Sequence, residues 1–126
     1  TDGIPKKESG VIDAPIARLG TGAKRGVVSG GQRAVTHYRV EQTNKGRALI
    51  RLKLETGRTH QIRVHLSYMG CPILGDYLYG NELPELKDRF ALHSAHLRCV
   101  QPVTGQMIDI VEPLPQELQI LMENEY

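Results

Sequence analysis

The chain holds no tryptophan, one phenylalanine and two cysteines among its 126 residues, and these scarcities set the first limits. A core poor in aromatics must be built from aliphatic side chains. Cys71 and Cys99 lie too far apart for a closely spaced metal or redox motif, and they read as buried or neutral thiols of a cytosolic protein. No apolar run approaches the roughly 20 residues that span a bilayer, and the first residues show no secretory pattern, so a cytoplasmic chain without a membrane partner is expected. No initiator Met precedes Thr1, from which a shortened polypeptide is expected. The histidines form no metal set. His60 and His65 are five apart, not the four that aligns two imidazoles on a helix face. His93 and His96, on an expected strand, face opposite sides. No metal is expected.

What is present is ordinary in bulk and uneven in charge. Hydrophobic residues make up 40% and charged residues 24%, as in a globular protein of one domain. Residues 1–65 carry thirteen Lys/Arg against five Asp/Glu, a balance of +8, whereas residues 66–126 carry three against nine, a balance of −6. A basic half favours a polyanionic partner, because Lys and Arg bound to phosphates release condensed counterions. A solvated basic face with no ligand has the same composition.

Residues 1–33 are rich in Gly, Lys and Ser, with Gly-Thr-Gly-Ala-Lys-Arg-Gly at 20–26, and read as a flexible basic arm or loop outside the core. The spacing is not that of a phosphate-cradling P-loop. From Ala34 the pattern sharpens: Thr36, Tyr38 and Val40 alternate with His37, Arg39 and Glu41, and Ile50, Leu52 and Leu54 alternate with Arg51, Lys53 and Glu55. This predicts a hairpin with one apolar face, turning at Asn44-Lys45-Gly46. A helix is expected over His60–Met69, capped by Thr59, closed by Gly70, and burying Ile62, Leu66 and Met69. Cys71–Asp76 reads as a turn and 81–89 as surface. Strands are expected near 91–100 and 106–111 around a turn at 102–105, then a short helix at 115–123. The pattern is that of an α+β domain with a largely antiparallel sheet.

The chemistry-bearing stretch runs from Leu54 to His65, where a strand ends, Gly57 permits a tight turn, and a helix opens with two arginines close by. Free N–H groups and the helix dipole attract anions there, so Arg58 suits a phosphate. Arg63 lies one turn in, where burial would require a carboxylate partner.

Thr56-Gly57-Arg58-Thr59-His60-Gln61-Ile62-Arg63-Val64-His65, then Gly70-Cys71-Pro72-Ile73-Leu74-Gly75-Asp76 and Tyr79-Gly80, closely resembles the signature of RluA-type RNA pseudouridine synthases. Flanking patches extend the resemblance over most of the chain: Gly10–Ile16 upstream, and Leu92-His93-Ser94-Ala95 and Pro113-Leu114-Pro115 downstream. The resemblance implies the C-terminal portion of the pseudouridine synthase α+β fold, a mixed, mostly antiparallel sheet flanked by helices. It further implies isomerisation of uridine to pseudouridine in ribosomal or transfer RNA, without cofactor or metal. Arg63 matches the arginine that pairs with the family's nucleophilic aspartate, and Leu92 matches an apolar residue against the target base. Arg58, His60 and Ile62 are carried over as substrate-binding positions, although His60 and Asp76 each also suit a structural role, bonding backbone in their turns.

The sequence departs from the family in one respect. The His-Arg-Leu-Asp motif that carries the nucleophile does not occur in it. The chain is therefore expected to be part of a catalytic domain, inactive alone, with the missing N-terminal half as its partner and an exposed sheet edge that favours dimerisation. A non-catalytic RNA-binding module is the alternative.

Overall fold

A computed structural model of the chain describes residues 1–81, 83, 90–92, 96–100 and 107–111. The predicted hairpin forms from β4 (Val35–Asn44) and β5 (Arg47–Leu54). Its two-residue turn is Lys45-Gly46, with φ of 46° and 82°, the doubly positive geometry that matches the twist of antiparallel strands. Thr36 faces Leu54, Tyr38 faces Leu52 and Val40 faces Ile50, so the expected apolar residues share one side. A register shift between Val40 and Gln42 bulges β4.

The stretch 1–33 is not an arm outside the core. Strand β1 (Ser9–Asp13) pairs antiparallel with β4, giving the order β1-β4-β5. Strands β2 (Ile16–Arg18) and β3 (Arg25–Val27) form a second hairpin, closed by the glycine-rich residues between them. Ile12, Ala14 and Ile16 are buried. Gly20, Gly22 and Lys24, part of the run that made this region read as loop, occupy the hairpin tip, while Ile12, Ala14 and Ile16 reach the core; a strand of three residues is too short for alternation to reveal it.

Helix α1 spans Gln61–Tyr68. Thr59 does not cap it: the N-cap position is His60, and no side chain bonds the first turn there. Its C-terminus is a Schellman turn around Gly70 at φ 88°, with the Gly70 N–H donating to Ser67 O and the Cys71 N–H to Leu66 O. Leu66 packs with Ile12, Ala14 and Ile73, against which Ile62, Met69, Phe90 and Leu92 lean. Val64 packs with Ile16 and Ala34 in a second cluster. The helix is thus wedged between the three-stranded sheet and the β2–β3 hairpin. Cys71 is buried, and desolvation raises its thiol pKa, keeping it neutral.

Residues His96–Val100 (β6) and Met107–Val111 (β7) pair antiparallel, close to the expected strands. The turn at 102–105, the helix at 115–123 and all but two positions of the 81–89 surface lie outside the described residues.

Candidate active site

Between β5 and α1 the chain turns sharply, and the residue that makes the turn is His60, not Gly57. His60 takes φ 57° and ψ 21°, a left-handed conformation that costs a side-chain-bearing residue on the order of 1–2 kcal/mol. Two contacts hold it. Its carbonyl accepts the Val64 N–H at 2.8 Å, and its Nδ1 lies 2.7 Å from the Tyr79 hydroxyl. That hydroxyl already accepts the Arg25 backbone N–H at 2.9 Å, so its proton is available to Nδ1. Donation of that proton to Nδ1 corresponds to the neutral ring with Nε2–H. Burial, with the nearby Arg63 and Arg25 charges, lowers the His60 pKa in the same sense. His60 thus bonds a side chain, not the backbone of the turn.

Behind His60, Arg63 is one-tenth exposed and Asp76 wholly buried. Arg63 Nε and Nη2 donate to the two carboxylate oxygens of Asp76 at 2.9 and 2.7 Å. Asp76 Oδ1 also receives the N–H groups of Leu78 and Tyr79, each at 3.2 Å. Burial pushes the Asp76 carboxyl upward, but Arg63 and these two amides outweigh it and hold the pKa below the ordinary carboxylate range. The bond to Asp76 correspondingly raises the Arg63 pKa despite desolvation. The guanidinium carbon lies 4.3 Å from the Phe90 ring centroid and 5.0 Å from that of Tyr79, so the cation is flanked by aromatic surface.

Within this chain Arg63 already meets one carboxylate, that of Asp76. Asp76 was read as bonding loop N–H groups, which it does; its second role as the partner of Arg63 was missed, because a sequence separation of thirteen hides a contact that only the packed turn creates. Among the described residues, Arg63 Nη1 donates to none.

A second polar network fastens the helix to the sheet. The Gln61 amide, buried, donates to Val35 O and Thr36 Oγ1, both at 3.0 Å, and accepts from Thr56 Oγ1 at 2.6 Å and the Arg58 N–H at 3.0 Å. Thr36 Oγ1 in turn bonds His65 Nδ1 at 2.8 Å, and His65 Nε2 reaches Ala14 O at 2.9 Å. The carbonyl can only accept, so His65 carries its proton on Nε2 and takes the Thr36 hydroxyl proton at Nδ1. Burial lowers the His65 pKa against that carbonyl's opposing pull. Gln61 was overlooked in the sequence because a glutamine in a first helical turn is normally solvated.

The expected site residues divide into two groups. Arg58, His60 and Arg63 fall along one line: Arg58 Nε donates to Arg33 O at 2.8 Å, its side chain lines a cavity with Arg18 and Arg25, and Arg25 connects through Tyr79 to His60. Ile62 and Leu92 instead lean on the Leu66 cluster, each part-buried. Phe90, two residues from Leu92, bridges the groups by packing on that cluster and facing Arg63. Among the described residues no group of His, Cys, Asp and Glu is arranged to hold a metal.

A family profile described as RNA pseudouridylate synthase matches residues 1–68. The chain belongs to that family. An RNA pseudouridine synthase of Bacillus subtilis, YjbO, is 46% identical over 117 residues, covering 92% of this chain and 41% of its own length. The ribosomal large subunit pseudouridine synthase D of Zymomonas mobilis is 43% identical over 133 residues, covering 97% of this chain and 42% of its own length. The chain thus spans about two-fifths of the length of these relatives. The solved structure of human RNA pseudouridylate synthase domain containing 1 superposes with a TM-score of 0.73 at 28% identity, over 88% of this chain and 50% of that one. The pseudouridine synthase fold expected from the sequence is the fold observed.

Proposed function

We propose that these residues form the arginine-bearing part of an RNA pseudouridine synthase acting on ribosomal or transfer RNA in the cytoplasm. The observation that supports this most is the Arg63 cluster: a cation one-tenth exposed, oriented by Asp76, facing Phe90 and Tyr79, with Nη1 not engaged among the described residues. A guanidinium held this way can take a second carboxylate, keeping it ionised in a dry pocket and fixing its direction. The reaction is an isomerisation: the bond from N1 of uracil to the ribose breaks, the base turns, carbon 5 bonds to the same ribose carbon and loses its proton, and N1 takes one up. Nothing is oxidised or reduced and no cofactor is required.

Asp76 is not the nucleophile. It is wholly buried and both its oxygens already accept the Arg63 guanidinium. The attacking carboxylate comes from polypeptide outside these residues, which alone are inactive. Arg58 holds a phosphate, His60 borders the target nucleotide, and Ile62 and Leu92 form the apolar wall that reaches the base. The β1-β4-β5 sheet, whose β5 edge is met at Arg47 by Asp2, takes the complementary half of the domain along its remaining edge, or a second copy in its absence.

The test is complementation. A polypeptide carrying the His-Arg-Leu-Asp segment is joined to this chain, and tritium release from RNA containing 5-tritiated uridine is followed. Release is expected only from the joined protein, and Arg63→Ala is expected to abolish it. Turnover by the chain alone, or undiminished turnover in Arg63→Ala, defeats the proposal. The basic first half favours one other reading, a non-catalytic RNA-binding module; a folded, joined protein that binds RNA without releasing tritium selects it.

A further inference from the structure

A cavity of about 440 Å³ opens between the β2–β3 hairpin, the turn at Gly30-Gly31 and the Arg58-Thr59 segment before α1, a size that admits a small ligand. Its charged lining is Arg18, Arg25 and Arg58, with no carboxylate. Arg18 and Arg25 are direct cross-strand partners, so their side chains leave the hairpin on the same face about 5 Å apart at Cβ, an arrangement in which like charges repel. Arg25 Nε is shut off from solvent and has no acceptor among the described residues, although buried polar groups are nearly always paired. Arg58 is anchored through Nε to Arg33 O, leaving its two Nη groups without a partner among the described residues. Three arginines line the cavity, and among the described residues no carboxylate lines it with them.

One wall of the cavity is a turn packed closely on β2. A Cβ at Gly31 would lie 2.8 Å from the carbonyl carbon and oxygen of Ile16, so only glycine lets this turn lie against β2. The cavity also adjoins the candidate active site, since the Arg25 N–H donates to the Tyr79 hydroxyl that bonds His60.

We propose that this cavity seats one backbone phosphodiester of the RNA, its non-bridging oxygens taken by Arg18, Arg25 and Arg58, beside the nucleotide that enters the His60–Arg63 cluster. The proposal rests on the RNA reading above and adds a specific seat to it. Bound phosphate relieves the repulsion between Arg18 and Arg25 and supplies the acceptor that Arg25 lacks, so the seat is ordered by its ligand.

The test uses the complete 126-residue chain and two probes, inorganic phosphate and a twelve-nucleotide single-stranded RNA containing uridine. The Arg25 Nε–H resonance is followed through a phosphate titration, and RNA affinity is measured against salt concentration. Phosphate is expected to shift the Arg25 Nε–H saturably, and Arg18→Gln to abolish that shift. Arg25→Gln and Arg18→Gln are each expected to reduce the slope of log affinity against log salt by about 0.7, the contribution of one phosphate on a single strand. Lys53→Gln, an exposed change on β5, is expected to leave the slope unaltered, and Arg25→Lys to retain most of it. Phosphate that shifts every arginine alike without saturation is an adventitious ion only and overturns the seat. RNA binding with an unchanged slope in both glutamine variants overturns the seat while sparing the RNA reading. A saturable phosphate shift with no RNA binding overturns the RNA reading itself, and with it the phosphodiester as occupant.

Discussion

Arg63 and Asp76 form a two-bonded ion pair at 2.9 and 2.7 Å, with the carboxylate wholly buried and the guanidinium nearly so. The pair ties helix α1 to the turn that follows it, and Asp76 simultaneously closes that turn through the Leu78 and Tyr79 amides. Removing either partner leaves an uncompensated charge in the interior.

Asp76→Ala is expected to lower unfolding stability by about 3–5 kcal/mol, as for other broken buried pairs. Asp76→Asn, which keeps an acceptor for one guanidinium bond and for the turn amides, is expected to cost less. Urea denaturation of the two variants checks the order; equal stability to the parent would show that the pair contributes nothing net.

The same pair sets an acid limit. The Asp76 pKa is held below its ordinary value of 3.8 in the folded chain, so the unfolded state takes up the proton first as pH falls. The stabilisation is complete above the unfolded pKa and is lost as pH descends through 3.8 towards the folded value. Denaturation midpoints collected below pH 5 should fall steeply for the parent and more shallowly for Asp76→Asn.

His65 imposes a second limit at higher pH. Its pKa lies below the ordinary 6.5 because the ring is buried neutral between Thr36 and Ala14 O. Below pH 6.5 the unfolded chain protonates while the folded one resists, so stability declines as pH drops from about 6.5 through the folded value. His65→Gln is expected to be less stable at pH 7.5, by about 1–3 kcal/mol for the unsatisfied partners, and to lose part of this pH dependence. An identical slope between pH 7.5 and 5 in parent and variant would contradict the assignment.

At His60 the usual order of helix propensity should reverse. Glycine accepts φ 57° without a steric cost and alanine does not. Both variants lose the bond to Tyr79 equally, so His60→Gly is expected to be more stable than His60→Ala by roughly 1 kcal/mol. Thermal melts of the pair decide it; alanine proving the more stable would mean that the left-handed turn is not retained.

Much of the fold was legible in local pattern. Alternation placed β4 and β5 with the correct faces, Gly46 marked their turn, and Gly70 marked the end of α1, because each depends on residues adjacent in the chain. The first 33 residues were misread because β2 and β3 are three residues each, shorter than any periodicity, and are held by pairing across a glycine-rich tip. Thr59 was misplaced as the cap because the turn before α1 is closed by a left-handed histidine, a conformation that local preference assigns to glycine. In the candidate site, Arg63, Arg58 and His60 were found from their spacing and their match to the family's signature, whereas Gln61, Tyr79 and Arg25 acquire meaning only from the groups they meet.

The sequence by itself determined where β4, β5 and α1 form, that the first half is basic, and that a buried arginine at position 63 would need a carboxylate, since these follow from side-chain chemistry and near-neighbour spacing. Tertiary structure alone decided that Asp76 pairs with Arg63, that Tyr79 joins His60 to Arg25, and that three arginines from separate segments line one cavity. The physical reason is that ion pairs and cavities are made by distances through space, and residues far apart along a chain have no distance until it folds.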